Sequence, residues 1–338
     1  MNNFVPDKPF KTYKEQLNLL ESRGLIIEDE NLAIHFLQTY SYYDLVNGNL
    51  DALMLTRHPD KFIANTNFAD LVQIRIIEDR LKNTFLKQIL MIEKTFKTVL
   101  SYYIASTFGV DSRDGGYLSL SNYSQTGASQ KVAHKNMKRL KAIRDDNVPH
   151  PQGDPINHYR EDHNHIPPWI LVDELTLGET IYWFKSLNHN GQENIAKQLF
   201  SLENLYPTST SQTLFVESID VMREFRNYFA HNSVLSQMFS HRELDFGLLQ
   251  QNLNTNILTD NEFASTRRNG LYACYISVLL LSNDFDQTSI FIAELQQSLD
   301  LLEPSKRTFF IQEVFGLPSD FIDKGTALIH ELHQEWGE

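Results

Sequence analysis

The stretch from Phe68 to Thr107 constrains this chain more than any other, running for roughly ten helical turns without a proline or a glycine. Asn67 stands where a cap belongs. Apolar residues recur at Leu71, Ile74, Ile77, Leu81, Phe85, Ile89, Ile92 and Phe96, the spacing of one buried helical stripe. A helix of this length is expected to form the spine of a domain, and its neighbours are expected to be helices too.

The rest of the chain agrees. Thr12-Tyr-Lys-Glu15 reads as a capping box and Gly24 as the stop of the helix it opens. Asp29 opens a second helix carrying Leu32, Ile34, Phe36 and Leu37, and the two form a helical hairpin. Its tyrosine-rich end, TYSYYDLVNGNL, finishes in an Asn-Gly turn signal. Val110 to Ser129 reads as a polar loop, Gln130 to Arg144 as a basic helix, and Asn147 to Pro168 as a second loop rich in proline and histidine. Trp169 to Leu187 returns to helix with an interruption near Gly178, and Asn190 to Leu202 is a short helix. Ser209-Thr-Ser-Gln212 reads as another capping box, and Asn232 as the far cap of the helix it starts. Arg268 to Ser282 and Asp286 to Leu302 form a further pair, followed by weaker helix after Phe309. No sheet is expected. The fold class is all-α: a helical domain over 8–245, with polar loops inserted near 110–129 and 147–168, and a C-terminal helical extension over 250–338.

Bulk properties bound the function. The chain has 338 residues and a net charge of −13, so general coating of nucleic acid is excluded and any RNA contact must be local. Its single cysteine, Cys274, rules out an intrachain disulfide and a cysteine zinc site, which fits a reducing cytoplasm. MNNFVPDKPF lacks a signal-peptide apolar run, and the longest apolar run, Leu271 to Leu281, is too short to span a bilayer. A cytoplasmic protein without membrane contact is expected.

The chemistry concentrates in VESIDVMREFRNYFAHNSVL, which holds Arg226 and His231 near the end of an amphipathic helix. Histidine moves protons near neutral pH, and arginine presents a fixed fork of donors to a phosphate. On a wheel of about 100° per residue, Glu217, Asp220, Glu224 and Asn227 fall within about 40° of His231. Leu214, Phe215, Ile219, Met222, Phe225 and Phe229 fill the opposite arc. Arg226 stands about 140° from His231, at the edge of that apolar arc. It is therefore either a partly buried ion pair with a carboxylate on another helix, or a functional arginine facing a cleft or a second subunit. The pattern alone is weak, and a second copy, Arg160 to His165, lies in the Pro- and His-rich loop and reads as coincidence.

Other candidates carry alternatives. Lys131, Lys135 and Lys138 share a face of the basic helix, with Arg139 and Lys141 beside them: an RNA-phosphate patch or a solvated surface. The histidines at 150, 158, 163 and 165 could gather a metal, but their irregular spacing points to no metal and no cofactor. Tyr40, Tyr42 and Tyr43 could stack on bases or close the packing of the first helical pair. Trp169, after two prolines, reads as a core anchor, and Glu217, Asp220 and Glu224 as a solvated face, with a metal site as the alternative.

Four blocks in order carry a resemblance: KPFKTYKEQLNLLESRGLIIEDENLAIHFLQTYSYYDL, IEDRLKNTFLKQILMIEKTFKTVLSYYIA, IPPWILVDELTLGETIYWF and FRNYFAHN. Together they resemble the abortive-infection (Abi) family of bacterial defence proteins, the AbiD/AbiF-like group, which looks like a branch of the HEPN superfamily. One departure is VNGN after YYDL, where relatives tend to end in a Ser-Gly-Tyr-like sequence. The resemblance implies a HEPN-like helical bundle and a metal-independent endoribonuclease toxin acting in phage defence. It implies Arg226 and His231 as catalytic residues, with Asn227 in support. It also implies a homodimer, RNA as substrate, and control by a small RNA or other antitoxin. The alternative is a non-catalytic RNA-binding or scaffold protein on the same fold.

Overall fold

Asn67 starts the long helix. Its side chain accepts the backbone N–H of Asp70, and the Asp70 carboxylate accepts the N–H of Asn67, so two otherwise unpaired donors are satisfied at once. The helix, α3, then runs over Phe68–Phe108 and stops at Gly109, whose φ of 81° is open to glycine at little cost. In this computed structural model, residues 8–47, 50–147, 154–200, 208–231, 234–251, 253–257 and 268–333 are described. Every residue of the expected stripe from Leu71 to Phe96 is buried.

Two helices precede it, α1 (Tyr13–Ser22) and α2 (Glu30–Thr39). Thr12 and Glu15 form the expected capping box, and Asp29 accepts the N–H of Leu32. Gly24, at φ 89°, ends α1: its own N–H reaches the Glu21 carbonyl while that of Leu25 reaches Leu20. The chain then pairs with the start of the spine, the Ile26 N–H donating to Thr66 and the Phe68 N–H to Ile26.

Between α2 and α3 the structure adds what periodicity missed, a small antiparallel hairpin of β1 (Met54–Arg57) and β2 (Asp60–Phe62). The strands are too short for alternation to register, and only Phe62 is buried among their side chains. The class remains all-α.

The basic helix, α4, spans Gly127–Arg144. Neither flanking loop is featureless. Within 110–129, the hydroxyl of Tyr117 donates to the Ile166 carbonyl, that of Tyr123 donates to the Tyr117 carbonyl, and the Trp183 indole donates to the Tyr123 hydroxyl. Within 147–168, a helix, α5, occupies Asp154–Asp162 where loop was expected. Its Ile156 is buried, and Arg160 donates to the carbonyls of Ile143 and Arg144 at the C-terminus of α4. A cation on orphan helix carbonyls is a structural role, which accounts for the second Arg-x4-His match.

The expected interruption falls at Leu175 and Thr176, just ahead of Gly178. A short helix over Pro168–Leu171 precedes it, and α6 (Leu177–Ser186) starts afresh on a Thr176–Glu179 capping box. Then come α7 (His189–Leu199) and the motif helix α8 (Thr208–Ala230). Ser209 lies inside the first turn of α8 and not ahead of it, so the capping box read there is not the helix start. Asn232, read as its cap, lies outside the described residues.

Among the described residues that follow, the longest helices are α9 (Leu271–Leu281), α10 (Phe285–Leu299) and α11 (Phe321–His333). Every residue of α9 is buried, and α9 packs on α8 and α3. One ring joins four helices. Phe85 of α3 lies 5.5 Å from Phe229 of α8, 6.4 Å from Tyr275 of α9 and 5.2 Å from Phe291 of α10. Each such ring contributes roughly 1.5–3 kcal/mol by burial, and this hub sits between Arg226 and His231 in sequence at Phe229. Among the described residues no helix is long and apolar enough to cross a membrane.

Candidate active site

The motif helix is fixed along its length before its last turn reaches solvent. Its apolar arc lies in the core as expected, with Leu214, Phe215, Ile219, Met222, Phe225 and Phe229 all buried. The carboxylates on the other side correct the reading of a solvated face. Asp220 is buried and accepts two hydrogen bonds from Lys185 of α6, at 2.7 and 2.8 Å. Glu217 accepts the backbone N–H of Asp245 at 3.0 Å, and burial pushes its carboxyl up despite that bond. Glu224 accepts the backbone N–H of His241 at 2.7 Å and faces the His241 imidazole at 3.0 Å. Burial raises the Glu224 carboxyl, but these hydrogen bonds outweigh it and hold the group below the usual carboxylate range.

Past Glu224 the helix opens. Asn227 and His231 are exposed, and among the described residues neither side chain makes a hydrogen bond. The His231 backbone N–H is shared between the carbonyls of Asn227 and Tyr228, both at 3.2 Å. Asn227 therefore meets His231 through the backbone and not through its amide. Tyr228 closes the turn from behind, its hydroxyl donating to the Phe239 carbonyl at 3.0 Å.

Arg226 leans to the other side, onto α3. Its Nε lies 3.5 Å from Oε2 of Glu93, whose side chain is 10 % exposed, while the arginine side chain remains 33 % exposed. Of the two readings of Arg226, the ion pair with a carboxylate on a neighbouring helix is present, and that carboxylate is Glu93. The pair is loose: neither Nε nor Oε2 completes a hydrogen bond. Lys97 supports the same carboxylate at 3.5 Å while donating to the Leu175 carbonyl at 2.6 Å. By contrast, Arg139 grips Glu179 at 2.7 Å. Among the described residues the Arg226 fork donates no hydrogen bond, so it is held by charge.

The chain leaving the motif is anchored by a second cluster on α3. Glu78 accepts the backbone N–H of Leu235 and sits within 3.4 Å of Arg75 and 3.7 Å of Lys82. Burial raises the Glu78 carboxyl and lowers the Lys82 ammonium.

The basic helix divides. Lys131, Lys135 and Lys138 are exposed and, among the described residues, form no ion pair. Arg139 is held by Glu179, and Lys141 lies 3.6 Å from Asp114. Tyr40 packs under Arg75 at 5.9 Å and the Tyr42 hydroxyl accepts from Arg23, whereas Tyr43 is exposed. Of the histidines, His158 turns to Asp162, His163 lies against Tyr159 and His165 faces Asn164, and His150 lies outside the described residues. Among the described residues no three such side chains are grouped to hold a metal.

Trp169 corrects a further reading. It is not a core anchor but is 46 % exposed, at the mouth of a cleft floored by α3. Sequence reasoning missed it because the buried partners of the turn are its neighbours Pro167, Pro168, Leu171 and Val172. It also missed Glu93, although a carboxylate one residue from Ile92 and three from Phe96 was a visible signal.

Residues 35–237 match the family described as Abi-like protein, a span of more than half the chain that runs from the second half of α2 through the motif helix and its exit. No curated protein and no solved structure matches the chain.

Proposed function

Because the chain belongs to the Abi-like protein family, we propose that it acts in abortive-infection defence as a metal-independent endoribonuclease of the HEPN type. The observation that carries this reading is the end of α8. A one-third-exposed arginine is held loosely by Glu93 without a completed hydrogen bond, and among the described residues an unengaged histidine follows five residues on.

In this reading His231 takes the proton of a ribose 2′-hydroxyl as that oxygen bonds to the adjacent phosphorus. The bond from phosphorus to the 5′-oxygen breaks, and an imidazolium returns a proton to that oxygen. Arg226 neutralises charge growing on the phosphoryl oxygens. The products are a 2′,3′-cyclic phosphate and a 5′-hydroxyl. Arg226 and His231 leave the helix about 140° apart, so a second copy across a two-fold axis is the natural way to bring both onto one phosphate. Met91, exposed two residues before Glu93, suits such a contact. Lys131, Lys135 and Lys138 would hold RNA remotely, and a small RNA or other antitoxin would control the toxin.

The test is cleavage of RNA by purified protein in chelator, with end analysis and sedimentation. Cyclic phosphate ends, a dimer, and loss with His231→Ala are expected. Cleavage that needs added metal, or survives His231→Ala at the wild-type rate, removes the mechanism. A second reading, RNA binding without cleavage, is favoured by the partial neutralisation of Arg226 by Glu93. RNA binding with no cleavage by the wild-type protein would select it.

A further inference from the structure

The cleft beside Glu93 has a volume of about 510 Å3 and runs between α3 and the Pro168–Leu171 turn. Glu93, Lys94, Lys97 and Thr98 form one wall, and Trp169 and Asp173 the other. We infer that this cleft is a base-stacking subsite for single-stranded RNA, with Trp169 as the platform and Lys94 as the phosphate contact. It rests on the reading that RNA is the ligand of the neighbouring Arg226–His231 site.

Three features argue for it. Trp169 exposes nearly half its surface although the turn carrying it is built rigidly, with Pro167 and Pro168 buried before it and Leu171 and Val172 buried after it. A large ring held out by a fixed turn is ready to stack at little entropic cost. The cleft mixes charged and hydroxyl side chains with the apolar Leu90 and Val172, which suits a nucleotide, with its flat apolar base and its anionic backbone, better than an apolar protein helix.

The charges in the cleft are also apportioned. Glu93 is shared between Arg226 and Lys97, and Lys97 is further fixed on the Leu175 carbonyl. Lys94 is exposed and, among the described residues, unpaired, as is Asp173 at the rim. Lys94 is therefore the cation open to a phosphate, and stacking is the main attraction. Glu93 both lines the cleft and pairs with Arg226, so it links the cleft to the arginine. The strand would enter the site from this side.

The experiment uses the full chain carrying His231→Ala, so that RNA stays intact. A short oligoadenylate is titrated while tryptophan fluorescence is read, with a blunt RNA duplex of equal length as control. Trp183 is fully buried, Trp336 lies outside the described residues, and Trp169→Phe in the same background assigns the signal. The expected result is saturable quenching by the single strand, lost in Trp169→Phe and weak with the duplex. Trp169→Ala weakens binding roughly 5- to 100-fold, Lys94→Glu weakens it further, and in the His231-containing protein Trp169→Ala raises KM more than it lowers kcat. Trp169→Ala binding the oligonucleotide as tightly as its parent overturns the subsite. So does fluorescence that changes only with protein concentration, which marks the cleft as a contact between copies. The two readings fail separately: wild-type protein that quenches without cleaving loses the nuclease and keeps the subsite. Cleavage with an unchanged KM in Trp169→Ala does the reverse.

Discussion

Replacing Arg226 separates its two roles. If it is a phosphate ligand, Arg226→Ala should lose about 100- to 1000-fold in cleavage, the range for one preorganised charge donor. The stability cost follows from its surroundings. The side chain is 33 % exposed and its contact with Glu93 is 3.5 Å without a completed hydrogen bond, so the pair contributes about 1 kcal/mol or less. Loss of its packed stem adds about 1 kcal/mol. Glu93 is not stranded, because Lys97 remains 3.5 Å away. For a chain of 338 residues the unfolding entropy is about 0.7 kcal/mol per degree, so a total of about 2 kcal/mol lowers Tm by about 3 °C. Arg226→Lys keeps the charge beside Glu93 and loses the planar fork, so it should restore Tm but not cleavage. Thermal unfolding and a cleavage time course on the same preparations measure both. Full activity in Arg226→Lys, or a Tm loss beyond about 6 °C in Arg226→Ala with activity falling in step, would refute the functional role and leave a structural ion pair.

Three further outcomes follow from the same geometry. Lys135→Glu with Lys138→Glu should weaken RNA binding at low salt and flatten its salt dependence, while Arg139→Ala, which frees Glu179, should lower Tm and leave RNA affinity near wild type; filter binding across a salt series separates them. Asp220→Asn removes the carboxylate that takes two hydrogen bonds from Lys185 and should cost about 3 kcal/mol, near 4 °C in Tm; a shift under about 1 °C contradicts the buried pair. Glu224, held below its ordinary value of 4.5, lends stability that is present above that value and lost as pH falls through its folded value. Glu224→Gln should therefore flatten the acid limb of stability against pH, and an unchanged limb measured by chemical denaturation from pH 3 to 6 speaks against it.

The fold was legible where a signal is local and repeated. Three caps, at Thr12, Asp29 and Asn67, act through their own side chains within one turn, and each lies where the sequence puts it. The stripe of α3 was equally plain because it repeats turn after turn from Leu71 to Phe96 along a helix of 41 residues. What failed lacked repetition. The β1–β2 hairpin is too short for alternation, and α5 is proline-flanked and held by a single buried Ile156 and the reach of Arg160 to another helix. Non-local partners leave no trace in a local window.

The site shows the same limit in a more useful form. A helical wheel sorts residues by direction, so it put Arg226 at the apolar edge and Glu217, Asp220 and Glu224 on the His231 side. It cannot say what lies in each direction. Toward Arg226 there was a carboxylate on α3; toward the acidic stripe there was not water but Lys185, the Asp245 N–H and the His241 turn. That difference bears on chemistry. Each carboxylate on the stripe accepts a hydrogen bond from a neighbouring segment before the helix ends. Asn227 and His231, the last polar side chains in that direction, are the ones left without a partner among the described residues. A polar stripe that is structurally engaged up to its final turn and open only there is harder to account for as a solvated face than as a surface reserved for something that binds at the helix end.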